Sequence, residues 1–294
     1  MAKKSFIIAG PTASGKSDFA HRLAKKLGGT IINADSVQIY KGIESLSASP
    51  LSPGHIPKTD NDAVVIDGVP YKLFSIYELE RQISVTHYLE MAKREYDAAE
   101  VPIFVGGSGY YINALVKGMS PIPEVSEDNR ERARKMVAEA PKAARALTDY
   151  EFKDPQRTAR ALEVFLETGR PITEWQQLPR RGAIKPTPTR VVILPHKEIL
   201  APRIRARLPQ MIEAGGMDEA RDSMRFYADR CIGIEELAKV IRGEVTTEEA
   251  LETWASRTDK YAKRQCTWFR NQFDPEITIG HIPTEADFEA VLQL

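Results

Sequence analysis

The feature that most restricts this chain is a glycine-spaced loop near its start, Gly10-x-x-x-x-Gly15-Lys16-Ser17, within IIAGPTASGKSDFA. A short apolar run, Ser5–Ala9, precedes it. Phe19, Leu23 and Leu27 recur behind it at helical spacing before the Gly28-Gly29 stop. Strand, glycine loop and helix in that order predict a phosphate-binding loop that opens an α/β domain. Along Gly10, Pro11, Thr12, Ala13, Ser14, Gly15, Lys16 and Ser17 the chain turns backbone N–H groups around a phosphate. Lys16 adds a compact positive charge, and Ser17 offers a hydroxyl to Mg²⁺. The loop alone leaves open which polyphosphate it holds.

Further apolar runs extend the α/β reading. TIINAD follows the first helix directly, which predicts two parallel strands bridged by that helix. AVVIDGVPYKLF reads as a hairpin around Asp67-Gly68, and VPIFVGG as a strand buried on both faces, with a helix at YYINALVKG. From about Pro121 to Pro188 only helical patterns and prolines appear: SEDNRERARKMVAEA, PKAARALTDYEF and DPQRTARALEVFLETG. Strand character returns at RVVILP. Helices follow at RIRARLPQMIEAGG, where Pro209 is expected to kink or divide the segment, at GIEELAKVIRG, and from a Thr246/Glu249 capping start to Gln272. EITIGH reads as a last short strand. The expected architecture is α/β: a P-loop parallel-sheet core of residues 1–120 and 188–294, with an inserted all-helical domain at 121–187.

A length of 294 residues with 42% hydrophobic composition suffices for a buried core. With 41 basic and 41 acidic residues the net charge carries no global nucleic-acid signal, so the distribution of charge matters more than its sum. Cys231 and Cys266 have no metal-ligand spacing, no segment reaches the roughly 18–20 apolar residues of a membrane span, and MAKKSFIIAG is too short for a signal core. A reduced, zinc-free cytoplasmic protein is expected, acting as a monomer away from membranes.

No asparagine precedes a lysine, so the guanine-reading N-K-x-D of GTPases is missing. A phosphotransferase remains open, since small-molecule kinases need little beyond such a loop, a carboxylate and mobile arginines. Asp35, at the end of the second strand, stands where α/β sheets bind ligands. A carboxylate there can hold magnesium, accept a proton from a nucleophile, or merely start a turn.

Taken together, GPTASGKS, ADSVQIYKG, VGGSGYYINAL, DPQRTARALEVFLETGRP and YAKRQCTWFRNQ, in this order between Ile7 and Gln272, resemble the tRNA dimethylallyltransferase (tRNA isopentenyltransferase) family. The resemblance implies transfer of a dimethylallyl group from dimethylallyl diphosphate to N6 of an adenosine next to the anticodon of tRNA, releasing diphosphate without phosphoryl transfer. It implies that the loop and a Ser17-bound Mg²⁺ hold the diphosphate, and that Lys16 stabilises the leaving group. Asp35 would be the base, and Ser108, where the family carries threonine, would bond near the reacting centre. Asp35, Ser36, Val37, Gln38 and Ser108 would meet the target base, whose edge suits the Gln38 amide. Arg203 and Arg207 would reach the diphosphate.

On the RNA side the resemblance implies that Gln156, Arg157 and Arg160 lie in a tRNA-contacting helix, with Arg130, Arg132, Arg134 and Lys135 in the same inserted block. Arg257, Lys260, Lys263, Arg264 and Arg270 form a second basic stripe against one local acid, Asp259, of the kind that suits a phosphate backbone. Trp254, Trp268 and Phe269 are expected in the core. Two segments depart from the family: SASP (Ser47–Pro50) lacks a lysine at Ser49, and PYKL (Pro70–Leu73) lacks two histidines. Rival readings are prenyl transfer to free AMP or ADP, a small-molecule kinase, and a non-enzymatic RNA-binding module. The basic insertion argues against the first of these, because a mononucleotide needs no long phosphate track.

Overall fold

The computed structural model describes residues 3–52, 64–148, 154–225 and 231–294. Its described residues form two compact units: Met1–Val116 with Ile184–Leu294, and Lys117–Ala183.

The first unit holds a seven-stranded sheet: β1 (Phe6–Ala9), β2 (Thr30–Asn33), β3 (Val64–Ile66), β4 (Val69–Lys72), β5 (Pro102–Gly106), β6 (Thr189–Ile193) and β7 (Ile277–Ile279). The spatial order is β3-β4-β2-β5-β1-β6-β7, and every pairing is parallel except the β3–β4 hairpin. That hairpin turns at Asp67 (φ 46°) and Gly68 (φ 81°), both left-handed as a tight two-residue turn requires. Ala63, the first residue of the expected hairpin, lies outside the described residues.

Every residue of β1 and β5 is buried, so helices cover both faces. On one side Phe6 and Ile8 pack with Phe19 and Leu23 of α1 (Lys16–Leu27) and Phe288 of α12 (Glu285–Leu292). On the other, Phe104 stacks on Tyr96 of α2 (Val85–Ala98), whose Tyr88 stacks on Tyr111 of α3 (Gly109–Lys117). Burying the seven aromatic side chains just named is worth on the order of 2 kcal/mol each.

After β6 come α8 (Lys197–Met211), a wide-turn segment Ile212–Gly216, α9 (Met217–Ser223), α10 (Ile234–Ile241) and α11 (Thr247–Gln272). Pro209, expected to kink or divide the segment, does not divide it: α8 runs through Pro209 to Met211. The break falls at Gly215, which takes φ 107°, a value that only glycine adopts cheaply. Thr246 and Glu249 form the reciprocal cap anticipated for α11.

The second unit is helical: α4 (Glu127–Glu139), α5 (Pro141–Ala146), α6 (Pro155–Thr168) and α7 (Ile172–Gln177). Ala133 and Val137 of α4 pack against Ala159 and Leu162 of α6, and the two alanines let the helices approach closely. Residues 149–152, the end of the expected helix PKAARALTDYEF, lie outside the described residues. Among the described residues no helix is long and apolar enough to cross a membrane.

Candidate active site

The glycine loop links β1 to α1, as its sequence context requires. A Cβ at Gly10 would lie 2.4 Å from the Ile193 carbonyl oxygen, so the neighbouring strand permits only glycine. Gly15 caps α1 from a left-handed conformation (φ 88°). Ala13 holds the same region (φ 62°) without being glycine, local strain of the kind that collects at functional sites. Ser14 Oγ is buried with no hydrogen-bond partner, which leaves a donor ready for an anion at the helix N-terminus. Ser17 is exposed in the first turn of α1. Lys16 donates to the Pro11 carbonyl at 3.2 Å. Burial lowers the Lys16 pKa to about 8; Asp35 opposes that shift and Arg207 adds to it.

Two arginines one helical turn apart on α8 close over the loop. Arg203 Nε donates to the Ala13 carbonyl at 2.9 Å, and Arg207 Nη2 donates to Thr12 Oγ1 at 2.7 Å. Arg207 Nε is buried without a partner. Burial, then the charge of Arg203, lowers the Arg207 pKa.

Asp35 follows β2 and shares a cavity of about 930 Å³ with the loop. Its Oδ1 accepts the Val37 N–H at 2.9 Å, while its own N–H donates to Asn33 Oδ1 at 2.8 Å. The turn-starting reading and the cavity-lining reading of Asp35 therefore hold together. Ser36 donates its N–H to Ser108 Oγ at 2.9 Å, and the two hydroxyls lie 3.0 Å apart. Tyr261, whose phenol is also hydrogen-bonded to Ser108, was not singled out in the sequence; burial and the nearby charge of Asp35 raise its pKa.

Gln38 lines the same cavity, but its amide nitrogen is already spent on the Ser47 and Ala48 carbonyls, both at 3.0 Å. Only its oxygen is left for a ligand. The backbone of the SASP segment supplies the acceptors that orient Gln38, and its Ser49 side chain is buried. Glu219 of α9 holds the preceding turn by accepting the N–H groups of Ser45 (2.8 Å) and Leu46 (2.9 Å).

The basic stripe on α11 divides. Arg257, Lys260 and Arg264 line the cavity, and Arg257 pairs with the buried Glu236 of α10. Asp259 pairs with Arg205 of α8 rather than with the stripe. Trp254 and Phe269 are in the core as expected, whereas Trp268 is only half-buried, its ring against Gly109. Six cations and two acids, Asp18 and Asp35, line the cavity, a balance that favours a polyanion. Gln265, also missed as a functional residue, is buried in α11. It accepts the Thr12 N–H and donates to the Gly107 carbonyl, each at 2.9 Å. It lies inside the quoted motif YAKRQCTWFRNQ, but among several polar residues there no local signal marks it out.

The remaining predicted residues belong to the helical unit. Arg130 and Arg134 of α4 pair with Glu127, Arg132 bonds Asn129, and Arg160 of α6 pairs with Glu163. Gln156 and Arg157 are exposed in the first turn of α6, which Asp154 caps.

Comparison with known proteins agrees with this geometry. A sequence model of the IPP transferase family matches residues 38–272, and one described as isopentenyl transferase matches residues 3–59. A tRNA dimethylallyltransferase of Paramagnetospirillum magneticum is 36% identical, covering 95% of this chain and 92% of its own. One of Rickettsia massiliae is 34% identical over 96% of this chain and 81% of its own. Among solved structures, a full-length tRNA isopentenylpyrophosphate transferase of Bacillus halodurans superposes with a TM-score of 0.64 at 27% identity, covering 99% of this chain and 95% of the other. A eukaryotic dimethylallyltransferase described as acting on tRNA shares the fold, with a TM-score of 0.74, 22% identity, and coverage of 99% and 77%. With that coverage and that identity, the chain belongs to the family of tRNA isopentenyl (dimethylallyl) transferases.

Proposed function

We propose that this protein is a tRNA dimethylallyltransferase: it moves the dimethylallyl group of dimethylallyl diphosphate to N6 of an adenosine next to the anticodon and releases diphosphate. The observation that carries the reading is one cavity holding both the phosphate loop, with its unpartnered Ser14 Oγ and Arg207 Nε, and Asp35. The loop amides, Lys16, Ser14 and Arg207 bind the diphosphate and stabilise the charge that grows on it as the allylic C–O bond breaks. The exocyclic adenine nitrogen is a weak nucleophile, and Asp35 takes its proton as the new C–N bond forms. Ser108, joined to Ser36 and Tyr261, fixes the segment that carries Asp35.

Among the described residues no group of three His, Cys, Asp or Glu is gathered to cage a metal. The Ser17 hydroxyl, exposed beside the loop in the same cavity, fits Mg²⁺ held mainly by phosphate oxygens and water. Bound there, Mg²⁺ would neutralise charge on the leaving diphosphate. Arg130, Gln156, Arg157 and Arg160 of the helical unit hold the anticodon stem-loop, and Ser36, Val37 and Gln38 meet a base that has left its stack.

The test is to incubate the protein with bulk unmodified tRNA, dimethylallyl diphosphate and Mg²⁺, then digest to nucleosides for mass spectrometry. Dimethylallyl-adenosine is expected from tRNA and not from a parallel reaction with AMP. Product from AMP alone would overturn the tRNA reading, and ATP turnover without prenyl transfer would replace it with a kinase.

A further inference from the structure

Gln265 touches none of the reacting groups proposed above, yet it joins the two halves of the site that must meet. Its Oε1 accepts the Thr12 N–H of the phosphate loop, and its Nε2 donates to the carbonyl of Gly107, the residue before Ser108. Ser108 in turn holds the N–H of Ser36, the neighbour of Asp35. The junction is tight: a Cβ at Gly107 would lie 2.4 Å from Gln265 Nε2 and 3.0 Å from the Gly10 carbonyl oxygen, and one at Gly106 would lie 2.1 Å from the Ala34 carbonyl oxygen. Loop, β5–α3 turn and the start of the Asp35 segment are therefore in backbone contact, with Gln265 pinning the first two through one rigid amide. Nor can the side chain drift, because it is 6% exposed and both of its polar atoms are paired in a site whose other wall is arginine and lysine.

We infer that Gln265 is a positioning residue that sets the separation of the leaving diphosphate from the adenine-activating Asp35, an inference that rests on the proposed transfer reaction. A buried amide is suited to this. It offers one acceptor and one donor in a fixed plane, so it can satisfy an N–H on one segment and a C=O on the other without bringing a charge beside the diphosphate. Neither the Thr12 N–H nor the Gly107 carbonyl has another side-chain partner among the described hydrogen bonds. Reactant alignment is sensitive to displacements of about 1 Å, which cost on the order of 10²-fold in rate. The effect of Gln265 therefore falls on turnover rather than on ground-state binding.

Two near-isosteric replacements test this. Gln265→Met keeps the volume and removes both bonds, so kcat at saturating substrates should fall about 10–10²-fold, while KM for tRNA and for dimethylallyl diphosphate changes by less than about threefold. Gln265→Glu keeps the acceptor for Thr12 N–H but sets a carboxylate against the Gly107 carbonyl. Protonation of the introduced carboxyl restores the donor, so the ratio of variant to parent kcat should rise as pH falls from about 8 to about 5. A merely structural glutamine would lower the melting temperature without giving that pH-dependent ratio. The inference is overturned if both variants keep kcat within about threefold of the parent, if the loss lies wholly in KM, or if the Gln265→Glu ratio is flat with pH. If the parent itself forms no dimethylallyl-adenosine, the proposed reaction is what fails.

Discussion

Arg207 Nη2 and Thr12 Oγ1, 195 residues apart in sequence, meet at 2.7 Å, while Arg207 Nε remains buried and unpartnered. One nitrogen of the guanidinium fork is anchored on the phosphate loop and another is left for an anion. Arg207→Lys keeps the charge but loses the fork, so the affinity for dimethylallyl diphosphate should drop by about 10–10²-fold, the scale of a lost hydrogen bond to a charged group. Calorimetric titration with dimethylallyl diphosphate measures it; an unchanged Kd would remove Arg207 from the diphosphate site.

Asp35→Asn retains an oxygen to accept the Val37 N–H, so the turn should survive. The base does not, and turnover should fall about 10²–10⁴-fold with diphosphate binding intact. Single-turnover kinetics with saturating tRNA check this. Activity within about threefold of the parent would defeat the assignment.

Lys16 has a pKa of about 8 in the free protein against 10.5 as its ordinary value. An anionic ligand favours the ammonium form, so binding of dimethylallyl diphosphate above pH 8 should take up a fraction of a proton, and its affinity should weaken as pH rises. Calorimetry in buffers of different ionisation enthalpy reads the uptake directly, and Lys16→Ala should abolish it. The same shift has a stability consequence of definite sign. Between pH 8 and 10.5 the unfolded chain holds more of this proton than the folded one, so the contribution of Lys16 to folding stability rises with pH across that window.

Replacing Arg157 and Arg160 together by alanine should weaken tRNA binding and flatten its salt dependence by up to about one log–log unit per lost phosphate contact. Dimethylallyl diphosphate binding should not change. Some stability should also be lost, since Arg160 pairs with a Glu163 side chain that is only 13% exposed. Normal tRNA binding with lost diphosphate affinity would show that these arginines serve the leaving group instead.

Much of the fold is legible in local pattern because local pattern has a physical cause there. Continuous apolar runs mark β1, β5 and β6, since a strand buried on both faces has no polar side to show. Asp67-Gly68 marks the hairpin because those residues accept left-handed backbone. Other elements carried signals that went unclaimed: α2 has Ser84 as its cap and Val85, Tyr88, Leu89, Ala92 and Tyr96 on one buried face. Pro209 does not divide α8, because whether a proline ends a helix depends on the surrounding packing as well as on its local cost.

The sequence by itself determined the phosphate loop, its helix and the candidacy of Asp35, because residue type and spacing dictate those within one turn of chain, whereas the α8 arginines were legible only through the family resemblance. Tertiary structure alone decided which polar groups are already satisfied. Gln38 spends its nitrogen on Ser47 and Ala48, Arg257 is claimed by Glu236, and Gln265, 253 residues from Thr12 and 158 from Gly107, ties the two together. A hydrogen bond depends on atoms meeting within about 3 Å in a given direction, and that meeting is set by how distant elements pack, which no local pattern records.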